Sequence, residues 1–307
     1  MSTTVEGLVV HKSSRDIRVE TESGTVLCSF RGRLREPGRR SLVVVGDQVL
    51  ISCTGGEGIL EKVLPRRTEL VRGTAGGEAM VVAANMDRLL VVLSAHDPPP
   101  RWALVDRMLV SAERDSLEPG ICVNKGDLIA GDPGEAARLE SSLAIYRSLG
   151  YAVFGVSALE GTGLDPLRAW LSGKKTVVAG HSGVGKSTLL NALHPGLLLG
   201  TGKVNAVTGK GRQTTTAVSL HAMPFGGHVA DTPGFREFFP LDITLPELGR
   251  SYPEFREVLG GCRYSDCLHE KEPVCCVRKG VEEGAISKLR YGSYLQILQS
   301  LREGHSR

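Results

Sequence analysis

Nowhere in the chain does an apolar run approach the ~20 residues that a membrane-spanning helix requires. The stretch from Met1 to Val10 lacks the basic start and apolar core of a secretory signal. Internal repeats and low-complexity tracts are missing too. These absences argue against a membrane, secreted or solenoid protein and lead us to expect a cytoplasmic one. Charge of one sign is also scarce, with a formal net charge of only +3. Its distribution says more, because residues 31–40 hold Arg31, Arg33, Arg35, Arg39 and Arg40 against the single acid Glu36. Such a loop suits a polyanion, although a solvated basic loop has the same composition. The seven cysteines cannot all pair, and four of them fall between Cys262 and Cys276. In a reducing compartment that crowding points to metal rather than disulfides.

What is present is a loop-rich globular composition, 41% hydrophobic and 23% charged with 38 glycines, over 307 residues, room for two or three domains. Short β-type runs at residues 7–10, 17–20, 26–30, 42–45 and 48–51 are separated by polar and glycine clusters. They predict a small N-terminal β-barrel, with an OB-type barrel as the leading candidate. From about Met80 the texture changes. Residues 89–93, 120–123, 151–156 and 176–179 are continuous apolar runs, as strands buried on both faces of a parallel sheet require. Ala136, Leu139, Leu143 and Tyr146 recur at helical steps between two of these runs. A mostly helical segment after Pro240 surrounds the cysteines, and residues 282–301 read as a closing helix with Ile286, Leu289, Leu295 and Leu298 on its apolar side.

Gly180-His181-Ser182-Gly183-Val184-Gly185-Lys186-Ser187-Thr188 joins one of the apolar strands to a helical run. The glycines permit a tight backbone whose N–H groups converge on phosphate at a helix N-terminus. Lys186 brings a charge to the β- and γ-phosphates, and Ser187 offers a hydroxyl to Mg²⁺. Asp231-Thr232-Pro233-Gly234 follows the short strand at residues 228–230. Asp231 there can hold Mg²⁺ through water while the Gly234 N–H faces the γ-phosphate. Asn124-Lys125-Gly126-Asp127 ends another buried run. The Asp127 carboxylate accepts from the N1–H and 2-amino group of guanine, Lys125 covers the base and Asn124 braces the neighbouring loop. Ser157-Ala158 ends a further strand, where a backbone N–H can donate to guanine O6. Adenine would leave such a pocket with unpaired polar groups. The base reader precedes the phosphate reader in the chain, which is the order of a circularly permuted GTPase.

Cys262, Cys267, His269 and Cys275 offer three thiolates and one imidazole within fourteen residues. Soft sulfur plus nitrogen in a closed set of four suits structural, tetrahedral Zn²⁺. Cys276 competes with Cys275 for the fourth place.

The permuted motif order, Val45-Gly46-Asp47, Pro65-Arg66-Arg67, Asn85-Met86-Asp87, Gln213-Thr214-Thr215-Thr216, Gly234-Phe235-Arg236-Glu237-Phe238 and the cysteine spacing together resemble the RsgA (YjeQ) family of bacterial GTPases over nearly the whole chain. The resemblance implies an OB-type barrel at residues 1–72, a permuted P-loop GTPase domain at 73–240 and a zinc-binding domain at 241–307. It implies one structural Zn²⁺ on Cys262, Cys267, His269 and Cys275, Mg²⁺ with GTP, and Thr215 as a further Mg²⁺ ligand in a switch at residues 209–216. It also implies late maturation of the small ribosomal subunit as the role, with that subunit and its rRNA, GTP and GDP as partners, no membrane, and a monomeric protein. Family members commonly carry a histidine where this chain has Gln213. Phe235 stands where Ras-type enzymes place their water-orienting glutamine, so Gln213 is the candidate for that task, with bracing of the switch as its other role. Lys186 and Thr215 complete the candidate catalytic set. A nucleotide-switched RNA-binding module in which hydrolysis is incidental is the alternative reading.

Overall fold

The computed structural model describes residues 3–13, 16–30, 43–54, 56–73, 79–197, 218–231 and 243–305. They form two compact units: Met1–Arg88 with Leu164–Ala179 and Lys186–Phe238, and Leu89–Gly163 with Gly180–Gly185 and Phe239–Arg307.

The first unit opens with a closed barrel of β1 (Thr3–Lys12), β2 (Ile17–Thr21), β3 (Gly24–Phe30), β4 (Gln48–Thr54) and β5 (Glu57–Val63). Neighbours run in the order β1-β2-β3-β5-β4, and β4 returns to β1 to close it. Only the β3–β5 pair is parallel. This is the OB-type barrel expected, with one strand exchanged. Of the run at 42–45, the described residues 43–45 form no strand: Val43, Val44 and Val45 are buried, Val43 in the barrel core, and Val45 makes an isolated bridge to Ala83. The Asp47 carboxylate holds that bend by accepting from the Val44 N–H at 2.8 Å. The fifth strand is instead residues 57–63, whose buried Gly58 and Leu60 alternate with less buried neighbours.

Three sequence motifs meet beside the barrel. Arg66 donates to both Asp47 oxygens, at 2.7 and 3.0 Å. The Asn85 side chain donates to the Gly46 carbonyl (3.0 Å) and accepts from the Arg67 N–H (2.7 Å). Asp87 accepts from the Lys175 N–H at 2.8 Å. A hairpin of β6 (Glu69–Gly73) and β7 (Ala79–Ala84), absent from the sequence expectation, leads into this junction. Lys175 opens β11 (Lys175–Ala179), which runs parallel to β13 (His228–Asp231); β13 in turn pairs antiparallel with β12 (Val218–Ala222). The helices α3 (Leu164–Leu171) and α4 (Lys186–Leu193) belong to the same unit.

In the second unit, β8 (Arg88–Ser94), β9 (Glu118–Asn124) and β10 (Ala152–Gly155) lie in the order β10-β9-β8. The apolar runs of β8 and β9 are buried, as a sheet covered on both faces requires. Helix α1 (Trp102–Arg114) and helix α2 (Pro133–Ser148) follow β8 and β9. Asp132 caps α2 by accepting from the Glu135 N–H at 2.9 Å, with Pro133 in the first turn. Leu143 and Tyr146 are its buried residues.

The C-terminal segment contains α5 (Leu245–Arg250), α6 (Pro253–Arg256), α7 (Cys276–Glu282) and α8 (Lys288–His305). The single closing helix over 282–301 is therefore corrected. Gly284, at φ 79°, ends α7, and the Ile286 N–H donates back to the Gly280 carbonyl. Ile286 fills the core from that turn, outside the helix.

One buried polar network ties α8 to the rest of this unit. The Arg290 guanidinium is 1% exposed, pairs with Asp106 of α1, and donates to both Glu254 oxygens at 2.7 and 3.2 Å. Tyr146 of α2 donates to the same Asp106 carboxylate at 2.9 Å. The Arg290 guanidinium lies 4.5 Å from the centre of the Tyr252 ring. Removing one member of such a set leaves buried charge without a partner. Arg290→Ala is expected to lower unfolding stability by about 3–5 kcal/mol in denaturant titrations; a loss below about 1 kcal/mol would contradict this role.

Candidate functional site

The base-reading motif sits where β9 runs out. The strand's buried Ile121, Cys122 and Val123 carry Asn124 to a position only 2% exposed. Its amide is fully engaged. Oδ1 accepts from the Ala158 N–H at 3.0 Å, and Nδ2 donates to the Val184 carbonyl at 3.0 Å and to the Gly185 carbonyl at 3.4 Å. One side chain thus joins the Ser157-Ala158 turn to the phosphate-loop residues. Two glycines make that approach possible. A Cβ on Gly185 would lie 2.4 Å from Asn124 Nδ2, and one on Gly180 would lie 2.2 Å from the Val92 carbonyl oxygen. The backbone N–H groups of the Ser157-Ala158 turn, one of which was expected to donate to guanine O6, are engaged here by the Thr162 carbonyl and by Asn124.

Asp127 is held by the Ser157 hydroxyl, which donates to Oδ1 at 2.5 Å and accepts from the Glu160 N–H at 3.2 Å. The Ser157 turn is closed by two backbone hydrogen bonds with Thr162, each 3.1 Å. Lys125 takes a left-handed φ of 62° and donates from Nζ to the Asp97 carbonyl. Ser94 Oγ donates to that carbonyl as well, at 2.9 Å. His96, next to it, bonds Glu135 at 2.7 Å, and this bond raises the imidazole pKa above its usual value. Asn124, Lys125, Asp127, Ser157 and Ala158 therefore share one short stretch of structure with Gly180, His181, Ser182, Gly183, Val184 and Gly185. None of the contacts from Ser94, Asp97 or Thr162 was visible in the motif itself.

Lys186, Ser187 and Thr188 begin α4 in the other unit. There Asp231 ends β13, and its Cα partner across the ladder is Ser219 of β12. Gln213, Thr215 and Gly234, together with the rest of the switch at 209–216 and the basic loop at 31–40, lie outside the described residues.

The cysteine cluster gathers as the spacing suggested. The ligand atoms of Cys262, Cys267, His269 and Cys275 all lie within 4.8 Å of one another, and three of the four residues are buried. His269 Nδ1 stands 3.7 Å from Cys262 Sγ and 3.4 Å from Cys275 Sγ. Tetrahedral zinc with ordinary bond lengths gives S···N edges of about 3.6 Å, so the donor set fits one Zn²⁺ and identifies Nδ1 as the nitrogen that would face it. Cys276 is directed elsewhere: its Sγ would be 2.6 Å from a Cβ placed on Gly261. The loop between ligands has its own clamp. The Glu272 carboxylate accepts from the N–H groups of Leu268 (2.8 Å), Glu270 (2.8 Å) and Lys271 (3.0 Å). Burial would raise its pKa, but these donors outweigh burial and hold the carboxyl below the usual range. Tyr291 and Tyr294 of α8 donate to the carbonyls of His269 (2.7 Å) and Leu268 (2.8 Å). In the sequence, Glu270-Lys271-Glu272 reads only as a solvated charge run.

A base reader upstream of a phosphate loop, locked to it by a buried asparagine and flanked by a barrel and a Cys₃His cluster, defines a circularly permuted GTPase of three parts. Comparison with known proteins gives the family. The RsgA GTPase family model matches residues 63–239. A small ribosomal subunit biogenesis GTPase RsgA of Bacteroides fragilis is 37% identical, with 99% of each chain covered. One from Azotobacter vinelandii is 40% identical, covering 97% of this chain and 86% of its own. The crystal structure of YjeQ from Thermotoga maritima superposes with a TM-score of 0.81 at 35% identity, covering 97% of this chain and 99% of that one. YloQ, described as a circularly permuted GTPase, gives a TM-score of 0.78 at 32% identity over 98% of this chain and 96% of its own. The chain belongs to the RsgA GTPase family.

Metal analysis is expected to find one zinc per chain on the Cys₃His set. Glu272→Gln, which weakens the clamp without touching a ligand, should lower zinc affinity about 10–100-fold against a chromophoric chelator. Undiminished zinc retention in that variant would contradict the clamp.

Proposed function

We propose that this protein hydrolyses GTP to GDP and phosphate during late maturation of the small ribosomal subunit, binding the subunit in its GTP form and leaving on hydrolysis. The observation that carries the nucleotide part is the Asn124 side chain spanning the base-reading turn and the phosphate loop. The ribosomal part comes from relatives covering nearly the whole chain whose names state small ribosomal subunit biogenesis. The functional division is a barrel at 1–72 that meets rRNA through its basic loop, the GTPase domain at 73–240 and the zinc domain at 241–307. The working form is a cytoplasmic monomer; among the described residues no helix is long and apolar enough to cross a membrane.

The residues have distinct tasks. Asp127 accepts from the guanine N1–H and 2-amino group, fixed for that by Ser157, while the Lys125 stem covers the base. The N–H groups of residues 180–188 and Gly234 surround the phosphates, and Lys186 balances negative charge between the β- and γ-phosphates. Ser187, Thr215 and Asp231 are the residues that would hold Mg²⁺, which would supply charge neutralisation at the phosphate oxygens. Gln213 orients the attacking water, whose oxygen forms the new P–O bond as the bond to the GDP oxygen breaks. Cys262, Cys267, His269 and Cys275 would hold a structural Zn²⁺, which would tie the loop between α6 and α7 to the apolar core beneath it.

GTP turnover measured alone, with purified small subunits and with large subunits tests this reading. Small subunits alone should accelerate it, and single-turnover hydrolysis by Gln213→Ala at saturating GTP should fall about 100-fold or more. Equal turnover under all three conditions would remove the small subunit as the partner, and an unchanged variant would remove Gln213 from catalysis.

A further inference from the structure

The turn that follows β8 lies against the base-reading motif and the phosphate loop. The Ala95 N–H donates to the Asn124 carbonyl at 2.8 Å, which joins the ends of β8 and β9 just before Lys125. Pro98 Cδ lies 3.7 Å from the position a Cβ would take on Gly183, and Lys125 Cε lies 3.9 Å from the corresponding position on Gly185. The lysine stem therefore passes along the phosphate loop with its ammonium directed at the turn, where it donates to the Asp97 carbonyl.

Two further side chains fix that carbonyl in place. Ser94, only 1% exposed, donates from Oγ to the Asp97 carbonyl at 2.9 Å, so one oxygen accepts from a hydroxyl and an ammonium together. The same Oγ accepts from the His96 N–H at 3.4 Å. The His96 ring bonds Glu135 at 2.7 Å in the first turn of α2, where the Glu135 N–H is itself held by Asp132 at 2.9 Å. The turn is thus tied inward through Ser94 and outward to α2 through His96. Lys125 carries a left-handed φ of 62°, uncommon for a residue with a side chain and kept only where surrounding contacts over-determine it. Fixing a long, rotamer-rich side chain at the moment of binding costs about a twofold to tenfold factor in affinity. A lysine already seated in the free protein avoids that cost.

We propose that the turn at residues 94–97 is a preformed seat for the Lys125 ammonium, with Ser94 and His96 as positioning residues for guanine-nucleotide binding. The seat holds the lysine stem across the place of the base before nucleotide arrives, so its ordering is met on folding rather than on binding. The stem acts on the face of the base, whereas Asp127 reads its edge. Affinity and base selectivity are therefore set by separate groups. The inference rests on the reading of Lys125 as the residue that covers guanine.

Calorimetric titration of the full-length protein with GDP and with inosine diphosphate, without added magnesium, tests it. The variants are Ser94→Ala, His96→Ala, His96→Gln, Lys125→Met, and Ser94→Ala or His96→Ala combined with Lys125→Met. Lys125→Met, which keeps the stem but removes the ammonium, should weaken GDP binding about tenfold. Ser94→Ala and His96→Ala should each weaken it about threefold, and neither should add to the loss when Lys125→Met is already present, because both act through that ammonium. His96→Gln, whose amide can still donate to Glu135, should bind as wild type does. The ratio of GDP to inosine diphosphate affinity should stay constant throughout, since the 2-amino group is read by Asp127. If Lys125→Met weakens binding while Ser94→Ala and His96→Ala match wild type, the proposal is wrong and the base-covering role of Lys125 stands. If Ser94→Ala and His96→Ala cost as much with Lys125→Met as without it, they act on the fold rather than on the lysine, and the proposal is overturned. If Lys125→Met binds GDP as tightly as wild type, the base-covering role itself fails and the proposal falls with it.

Discussion

The buried Asn124 amide is the constraint on which the nucleotide site depends. It satisfies the Ala158 N–H and the Val184 carbonyl at once, each at 3.0 Å, in a place where water is excluded. Leaving a buried donor or acceptor without its partner costs about 1–3 kcal/mol per group. The turn that reads the base and the loop that reads the phosphates therefore cannot drift apart cheaply. Gly185 is required by the same contact, since any side chain there would collide with the amide. Chain order is irrelevant to this arrangement. What the site needs is β9 delivering an asparagine to the back of the phosphate loop, and a permuted chain does that as well as any other.

Each unit has ties of its own. Asp47, Asn85 and Asp87 fasten the barrel to the segment beneath β11 through hydrogen bonds of 2.7 to 3.0 Å. Strand β1 runs from the barrel into the ladder with β12. In the other unit the Arg290 set binds α1, α2, α6 and α8 into one body, so the helical zinc segment is anchored through buried charge as well as apolar packing. Barrel and zinc segment are each tied to α/β elements of their own unit, the barrel through β1 and β12 and the zinc segment through the Arg290 set.

Much of this was legible in the sequence because the relevant signals are local. Continuous apolar runs announced β8, β9, β10 and β11, and the motifs at 124–127 and 180–188 fell at strand ends where backbone groups are available. The errors arose where tertiary context overrode pattern. Val43 to Val45 has the composition of a strand but forms a buried bend instead, held by Asp47 and Arg66 from outside the run. The Glu57–Val63 strand is too glycine- and charge-rich to stand out. Gly284, in a left-handed conformation, breaks what reads as one closing helix, and Ile286 is buried from the turn that follows. Pairings such as Arg290 with Asp106, separated by 184 positions, leave no local trace at all. The choice of Cys275 over Cys276 needed the direction of a side chain, which adjacency in sequence cannot give.

Discrimination of the base is the central claim, and calorimetric titration with GDP and ADP measures it most directly. The account predicts GDP binding at least about 100-fold tighter than ADP, the scale on which unpaired polar groups reject a wrong ligand. ADP binding with the affinity of GDP would contradict it.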